Sequence, residues 1–411
     1  MTFKSFYLEE DINKALDKNN YLETTPIQET VIPLVLKGDD IMAKAQTGSG
    51  KTASFVLPIL TLLAQTPSRK KKANIRVLVL TPTRELTLQV ANTFKIFSEF
   101  LAYQPKVVSL IGGQSIGEQL MDIQQGCDIV VATSGRLLDI MSKKQINLSN
   151  IQYFILDEAD KMLDLGFADE LDLILKAIPK QRQNLLFSAT YPPKMLNIAK
   201  RITTTAKDIS IDSINKVVDD INQRVISVNQ ENRSALLREL LRTNKWSQVL
   251  VFMANKRASD NIAAKFRKHG FLAESFHGNL TQEDRNWKLD GFKDKKIKIL
   301  FATDIASRGL HIDDISCVIN FDLPRSPDDY IHRIGRTGRA GKSGTAISFI
   351  GHENSEHFKL IEKRCNISII KEEIEGFELT GSSTPKVKGE APIKSKRKSK
   401  KDKLREQNNK G

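Results

Sequence analysis

"DIMAKAQTGSGKT", Asp40–Thr52, runs from a short apolar stretch into a glycine-spaced loop that ends on Lys51 and Thr52, with an apolar helical pattern behind it. Strand, loop and helix in that order is the setting in which such a loop cradles phosphate. Gly48 and Gly50 let backbone N–H groups turn toward an anion, and the start of the helix adds its dipole. Lys51 then reaches the terminal phosphates and Thr52 offers a hydroxyl to Mg²⁺, while Ala45, Gln46, Thr47 and Ser49 fill out the loop. Ala45 stands where the strict pattern has its first glycine. The competing reading is a Gly-rich turn with a chance lysine, and the agreement of strand, loop and helix weighs against it.

Outward from this loop, short apolar runs alternate with helical patterns. "RVLVLT" (76–81), "DIVVAT" (128–133), "YFILD" (153–157) and "NLLFSAT" (184–190) read as buried parallel strands, separated by helices such as "RELTLQVANTFKIFSEFL" (84–101). The rhythm pauses over 208–228. A second series then begins with "QVLVFM" (248–253), "IKILFAT" (297–303), "SCVINF" (316–321) and "GTAISFI" (344–350). Two tandem α/β units with parallel sheets are expected, 1–211 and 223–379, joined by a flexible linker over 212–222. Ligands of such sheets bind beyond the carboxyl ends of the strands. From 380 to 411 the chain is polar and densely charged and is expected to be disordered.

The 411 residues suffice for about two to three domains at roughly 100–200 residues each. A net charge of +14 points to a polyanion partner, and Lys386–Gly411 carries 11 Lys and Arg against 3 Asp and Glu. Cys127, Cys317 and Cys365 are scattered, with neither metal spacing nor a disulfide framework, so a reducing, cytoplasmic setting is expected. The opening "MTFKSFYLEEDINK" lacks the apolar core of a signal peptide. The most apolar stretch, "FVLPILTLLA", is about half the roughly 20 residues a bilayer span needs, so no membrane role is expected.

"YFILDEAD" ends an apolar run on Asp157, with Glu158 next. Asp157 suits a metal ligand and Glu158 the base that orients an attacking water. The alternative is a solvated acidic helix start, where negative charge is favoured anyway. In the second unit, "YIHRIGRTGRAG" (330–341) spaces Arg333, Arg336 and Arg339 three apart, along one side of an expected helix. An arginine delivered onto a transferring phosphoryl group accelerates the reaction about 10³–10⁵-fold. Arg336 and Arg339 are therefore expected to complete the first unit's site on closure, with Gly335, Gly338 and Gly341 allowing close approach. Taken alone, the arginines also suit a basic surface helix on nucleic acid.

With these residues in place the chain resembles the DEAD-box RNA helicases, and within them the bacterial RhlE-like proteins, over about Phe3–Leu379. The motifs occur in the family's order: "TTPIQ" (24–28), "AQTGSGKT" (45–52), "PTRELT" (82–87), "GG" (112–113), "TSGR" (133–136), "DEAD" (157–160), "SAT" (188–190), "HGNLTQEDR" (277–285), "ATDIASRGL" (302–310) and "HRIGRTGRAG" (332–341). The resemblance implies two RecA-like domains and RNA-stimulated hydrolysis of ATP with Mg²⁺, coupled to closure of the domains and local opening of RNA duplexes. It implies that Gln28 reads the adenine edge, that Tyr21 stacks on the ring, and that Gly309 and His311 lie at the ribose. His332 would join Lys51 and the two arginines around the γ-phosphate. Ser188, Thr190 and Asp160 would couple the nucleotide to RNA. Pro82, Thr83, Arg84, Gly113, Thr133 and Arg136 would contact RNA from the first domain, and Gly278, Arg285, Thr303 and Asp304 from the second. Such groups grip phosphates and sugars, so little sequence preference is expected. Taken singly, Thr83 and Thr133 also read as helix caps.

Four positions depart from the family pattern. Asn20 and Thr24 stand for the usual Gly and Pro ahead of "TPIQ", with a looser turn expected. Ser134 stands for Pro, which removes a φ constraint. His311 stands for Asp; an imidazolium cannot accept a ribose hydroxyl's hydrogen bond, so weaker ATP binding is expected. The basic tail reads as a salt-sensitive RNA tether, with a solubilising or targeting segment as the alternative. An ATP-gated RNA clamp or annealing chaperone uses the same motifs. A DNA helicase of the same superfamily would need a differently spelled arginine motif.

Overall fold

The computed structural model describes residues 1–45, 49–67, 74–203, 205–211, 221–304, 315–338 and 344–382. The first sheet holds β1 (Ile41–Lys44), β2 (Val77–Leu80), β3 (Val107–Leu110), β4 (Ile129–Ala132), β5 (Tyr153–Leu156), β6 (Gln183–Ser188) and β7 (Lys207–Ser210). The second holds β8 (Ile221–Ser227), β9 (Val249–Phe252), β10 (Ala273–Phe276), β11 (Ile299–Ala302), β12 (Cys317–Asn320), β13 (Gly344–Ile350) and β14 (Lys371–Glu372). Their orders are β3-β4-β2-β5-β6-β1-β7 and β10-β11-β9-β12-β13-β8-β14. Strand for strand, the second order repeats the first, so one RecA-like plan is used twice. All the strand pairs among the described residues are parallel.

The central strands explain why this plan was readable. β2, β4, β9 and β11 are apolar and buried at every position, because helices cover both faces of a parallel sheet. Phe55, Phe94 and Phe187 pack together, rings tilted, on one face of the first sheet, and Phe266 and Phe301 meet edge-on in the second. The strands that the apolar pattern did not mark are β3, β7, β8, β10 and β14. Four of these are sheet edges, where polar residues are tolerated; β7, "KDIS", buries only Ile209. The helix expected over 84–101 is Arg84–Phe97.

Residues 212–220 of the expected linker lie outside the described residues, and β8 begins at Ile221. The tail lies outside them from 383 onward. Before that point Thr380 donates its backbone N–H to Asn229 Oδ1 at 2.9 Å, just past the carboxyl end of β8.

Candidate functional site

A cleft of ≈ 670 Å³ opens beside the carboxyl ends of β1 and β5, lined by Tyr21, Gln28, Gly50, Lys51, Thr52, Asp157 and Glu158 among others. Gly50 starts the helix Lys51–Gln65 at φ +91°, and a Cβ there would fall on the Gln28 carboxamide, so only glycine fits. Lys51 is buried and donates to the Ala45 carbonyl at 2.9 Å. Gln28 is the N3 residue of the helix Pro26–Leu36, whose cap is Thr25. Its Oε1 accepts from the Thr25 N–H at 2.9 Å and its Nε2 donates to Gly50 O at 3.1 Å. "TTPIQ" is thus a capping box as well as a wall of the cleft. Half-exposed Tyr21 stands edge-on to Phe97 at 5.2 Å. Gln46, Thr47 and Gly48 lie outside the described residues, as do Gly309, His311 and Arg339.

Glu158 is held with unusual force. It adopts φ 50°, ψ 49°, a left-handed conformation costly for a side chain with a Cβ, and it caps the helix Ala159–Asp164. Its Oε1 lies 2.7 Å from Lys161 Nζ, with both side chains almost fully buried. Burial pushes its carboxyl up, but the Lys161 and Lys51 ammonium groups outweigh that and bring it to about 2. Asp157 takes the opposite course: burial raises it to about 6, with the Lys51 charge pulling against this and Glu158 adding to it. Two neighbouring carboxylates pushed apart in this way can divide metal binding from work on water.

The second sheet supplies the other wall. Arg336 is buried, and its charge acts on both Glu158 and Lys161 of the first domain. His332 is partly buried; desolvation first, then the Lys161 and Arg336 charges, bring its imidazole down to about 3, so it is neutral at pH 7. Farther along the same edge, Arg285 Nε lies 2.6 Å from Glu85 Oε1, an ion pair between the domains with both side chains buried. It borders a second cleft of ≈ 390 Å³, lined by Pro82, Thr83, Arg84, Thr133 and Arg136 from one domain and Gly278 and Arg285 from the other. Arg136 gives one N–H to Gln114 O at 3.1 Å, and its buried Nε and Nη1 have no hydrogen-bond partner among the described residues. Burial and the Arg285 charge lower the Arg84 pKa, and Gly113 at φ +83° makes room for the Arg84 guanidinium. Three guanidiniums, one of them already paired with Glu85, thus line one cleft.

Between the clefts, Asp160 Oδ2 accepts from the Thr190 N–H at 3.1 Å and hydroxyl at 3.2 Å, while the Asp160 N–H donates to Ser188 Oγ at 3.2 Å. The three expected coupling residues therefore form one hydrogen-bonded group.

Residues 25–198 match the DEAD/DEAH box helicase family and 232–341 the helicase conserved C-terminal domain. The chain is 40% identical over 365 residues to the ATP-dependent RNA helicase RhlB of Pseudomonas putida, covering 88% of this chain and 91% of that one. It belongs to the DEAD-box ATP-dependent RNA helicases. Among solved structures it is similar to S. cerevisiae Dbp5 bound to RNA and ADP BeF3, at 29% identity and a TM-score of 0.79, covering 90% and 95% of the two chains. A DEAD box protein from the hyperthermophile Methanococcus jannaschii is 39% identical over 90% of this chain and 99% of that one, yet its TM-score is 0.51.

Within this DEAD-box chain one expectation is corrected. The arginines do not share a helix: the helix Pro327–Ile334 ends at the Gly335 cap, so Arg333 lies on it and Arg336 in the turn beyond. Gly335 and Gly338 are the breakers the sequence already carried. Arg333 is consumed by its own domain. It binds Asp304 in a fork at 2.6 and 2.8 Å, donates to Asn320 Oδ1 at 3.0 Å, and lies over the Phe252 ring. Asp304 thus faces Arg333, and Thr303 donates its N–H to Phe276 O at 3.2 Å. Thr83 is the cap of its helix, accepting from Leu86 N–H at 3.3 Å, whereas the Thr133 side chain makes no capping bond.

Two of the departures, Asn20 and Thr24, are compensated locally. Asn20 holds φ 57°, a conformation asparagine tolerates, and the Thr24 hydroxyl bonds Met1 O at 2.8 Å and Glu29 Oε1 at 2.7 Å. Lys161 and Glu85 escaped the sequence reading. Glu85 sits inside "PTRELT", and nothing in that stretch discloses a partner 200 positions away. Lys161 follows "DEAD" directly, and its i,i+3 spacing from Glu158 was the signal that could have found it.

Proposed function

We propose that the chain hydrolyses ATP in the first-domain cleft when RNA lies across both domains, and that closure opens short duplexes locally. The observation that carries this is the burial of Arg336, a second-domain side chain, beside Glu158 and Lys161 of the first. ATP draws Lys51 off the Ala45 carbonyl and onto the β/γ phosphates. Thr52 and Asp157 offer a hydroxyl and a carboxylate, the hard oxygen donors that suit Mg²⁺, which when bound offsets phosphate charge. Glu158 orients water onto the γ-phosphorus, the bond to the β–γ bridging oxygen breaks, and ADP and phosphate leave. Neutral His332 hydrogen-bonds the γ-phosphate, and Arg336 with Arg339 meets its charge. Gln28 keeps a second N–H and a second lone pair for the adenine edge, Tyr21 covers the ring, and Gly309 with His311 lies at the ribose.

RNA phosphates bind Thr83, Arg84, Gly113, Thr133 and Arg136 on one side and Gly278 and Arg285 on the other. Pro82, Thr303 and Asp304 shape that path, and Ser188, Thr190 and Asp160 relay closure to the nucleotide. The likeness to an RNA-bound relative, at a TM-score of 0.79, supports a closed arrangement. Domain limits of 1–211 and 223–379 around a linker at 212–222, a basic RNA tether at 380–411, the RhlE-like grouping and a cytoplasmic setting belong to the same proposal. The cysteines support the last point: Cys127, Cys317 and Cys365 are all free. The test is turnover of purified protein with and without RNA. Slow basal hydrolysis and marked stimulation are expected, and equal rates would contradict the reading.

A further inference from the structure

The helix Ser134–Ser142 carries Arg136 and begins at Thr133, so its first turn forms part of the wall of the RNA cleft. Its start is not secured by its own cap: Thr133 makes no side-chain capping bond, and its hydroxyl donates instead to Leu110 O at 3.4 Å. What secures it lies behind the cleft. Ser134, almost fully buried, donates its hydroxyl to Glu170 Oε2 at 2.5 Å. A Cβ placed on Gly135 would stand 4.0 Å from the other Glu170 oxygen, so the carboxylate sits squarely over the first turn. A carboxylate at that end of the helix is favoured by the helix dipole.

Glu170 lies in the first turn of the helix Ala168–Ala177. That helix follows the Ala159–Asp164 helix of "DEAD" after only Leu165, Gly166 and Phe167, and Phe167 itself borders the RNA cleft. This hydrogen bond therefore joins the segment leaving the nucleotide site to the helix that presents Thr133 and Arg136.

We propose that Ser134 and Glu170 are positioning residues for RNA: their bond sets the start of the Ser134–Ser142 helix, and with it the placement of Thr133 and Arg136 against the phosphates. Neither touches RNA or nucleotide. The inference rests on the RNA reading of the cleft. Proline at the first position of a helix fixes the same turn covalently through its φ, so it can replace the hydrogen bond.

The experiment measures RNA-stimulated ATPase of the full chain, with half-saturating RNA concentration, rate at saturating RNA, RNA-free rate and melting temperature recorded for each variant. Ser134→Ala is expected to raise the half-saturating RNA concentration about three- to tenfold. The saturated rate, the RNA-free rate and the KM for ATP should stay put. Ser134→Pro should return RNA affinity to near the parent value. Glu170→Gln should weaken RNA in the parent and be silent in the Ser134→Pro background. Unchanged RNA affinity in Ser134→Ala overturns the proposal, as does a Glu170→Gln loss of equal size in the proline background. A parent protein with no RNA stimulation at all would instead sink the RNA reading itself.

Discussion

Replacing Glu85 by alanine isolates the ion pair that spans the two domains. Arg285 Nε stands 2.6 Å from Glu85 Oε1, with the side chains 5% and 9% exposed. Arg285 also donates to His277 O at 3.1 Å and lies 4.5 Å above the Phe276 ring, so it cannot simply swing out to water. Removing one partner of such a buried pair costs roughly 3–5 kcal/mol. The pair exists only while the domains are together, so the cost falls on the closed state. An RNA phosphate can offset part of it, which leaves about 2–3 kcal/mol, or roughly 30–150-fold in the closure equilibrium. A fluorescence-transfer pair with one dye on each domain, read with a nonhydrolysable ATP analogue across an RNA titration, measures this. Glu85→Ala should need roughly 30–150 times more RNA for half closure. Glu85→Arg combined with Arg285→Glu should recover much of the loss. Closure of Glu85→Ala at parental RNA concentrations would refute the reasoning.

Other consequences follow from the same geometry. Glu158→Gln should lower turnover by at least about 10²-fold, the lower end of what a positioned base contributes, while RNA stays clamped with ATP; multiple-turnover unwinding and RNA retention, assayed together, separate a helicase from a clamp. Arg333→Met should strip Asp304 of its fork and, because the carboxylate left behind is partly exposed, destabilise the second domain by roughly 1–3 kcal/mol, read as a lower melting temperature with no change in ATP affinity. His332 is lowered from 6.5 to about 3, so it binds fewer protons folded than unfolded between those values. Stability should therefore fall as pH drops from 6.5 toward 3, by at most about 1.4 kcal/mol per pH unit from this group. Urea midpoints of the parent and His332→Gln between pH 7 and 5 should converge as pH falls, and parallel curves would count against a desolvated, neutral imidazole.

The central strands and the phosphate loop were legible because burial on both faces demands unbroken apolar runs, and because Gly50 has to be glycine. Edge strands such as β7 and β10 were not, since an edge needs no such run. The glycines at 335 and 338 announced that the arginine segment would leave its helix, but even spacing of three suggested a stripe. What separates Arg333 from Arg336 is tertiary: one finds Asp304 within its own domain and the other faces Glu158 across the cleft. Likewise Ser134 read as a lost restraint, because its partner Glu170 stands 36 positions away.

The most direct test is a structure of the full chain trapped with a nonhydrolysable ATP analogue, Mg²⁺ and an oligoribonucleotide. The account predicts the Arg336 guanidinium at about 2.7–2.9 Å from γ-phosphate oxygens, with Glu158 turned toward the attacking water. Arg336 directed into solvent, or still facing only protein groups of the first domain, would contradict it.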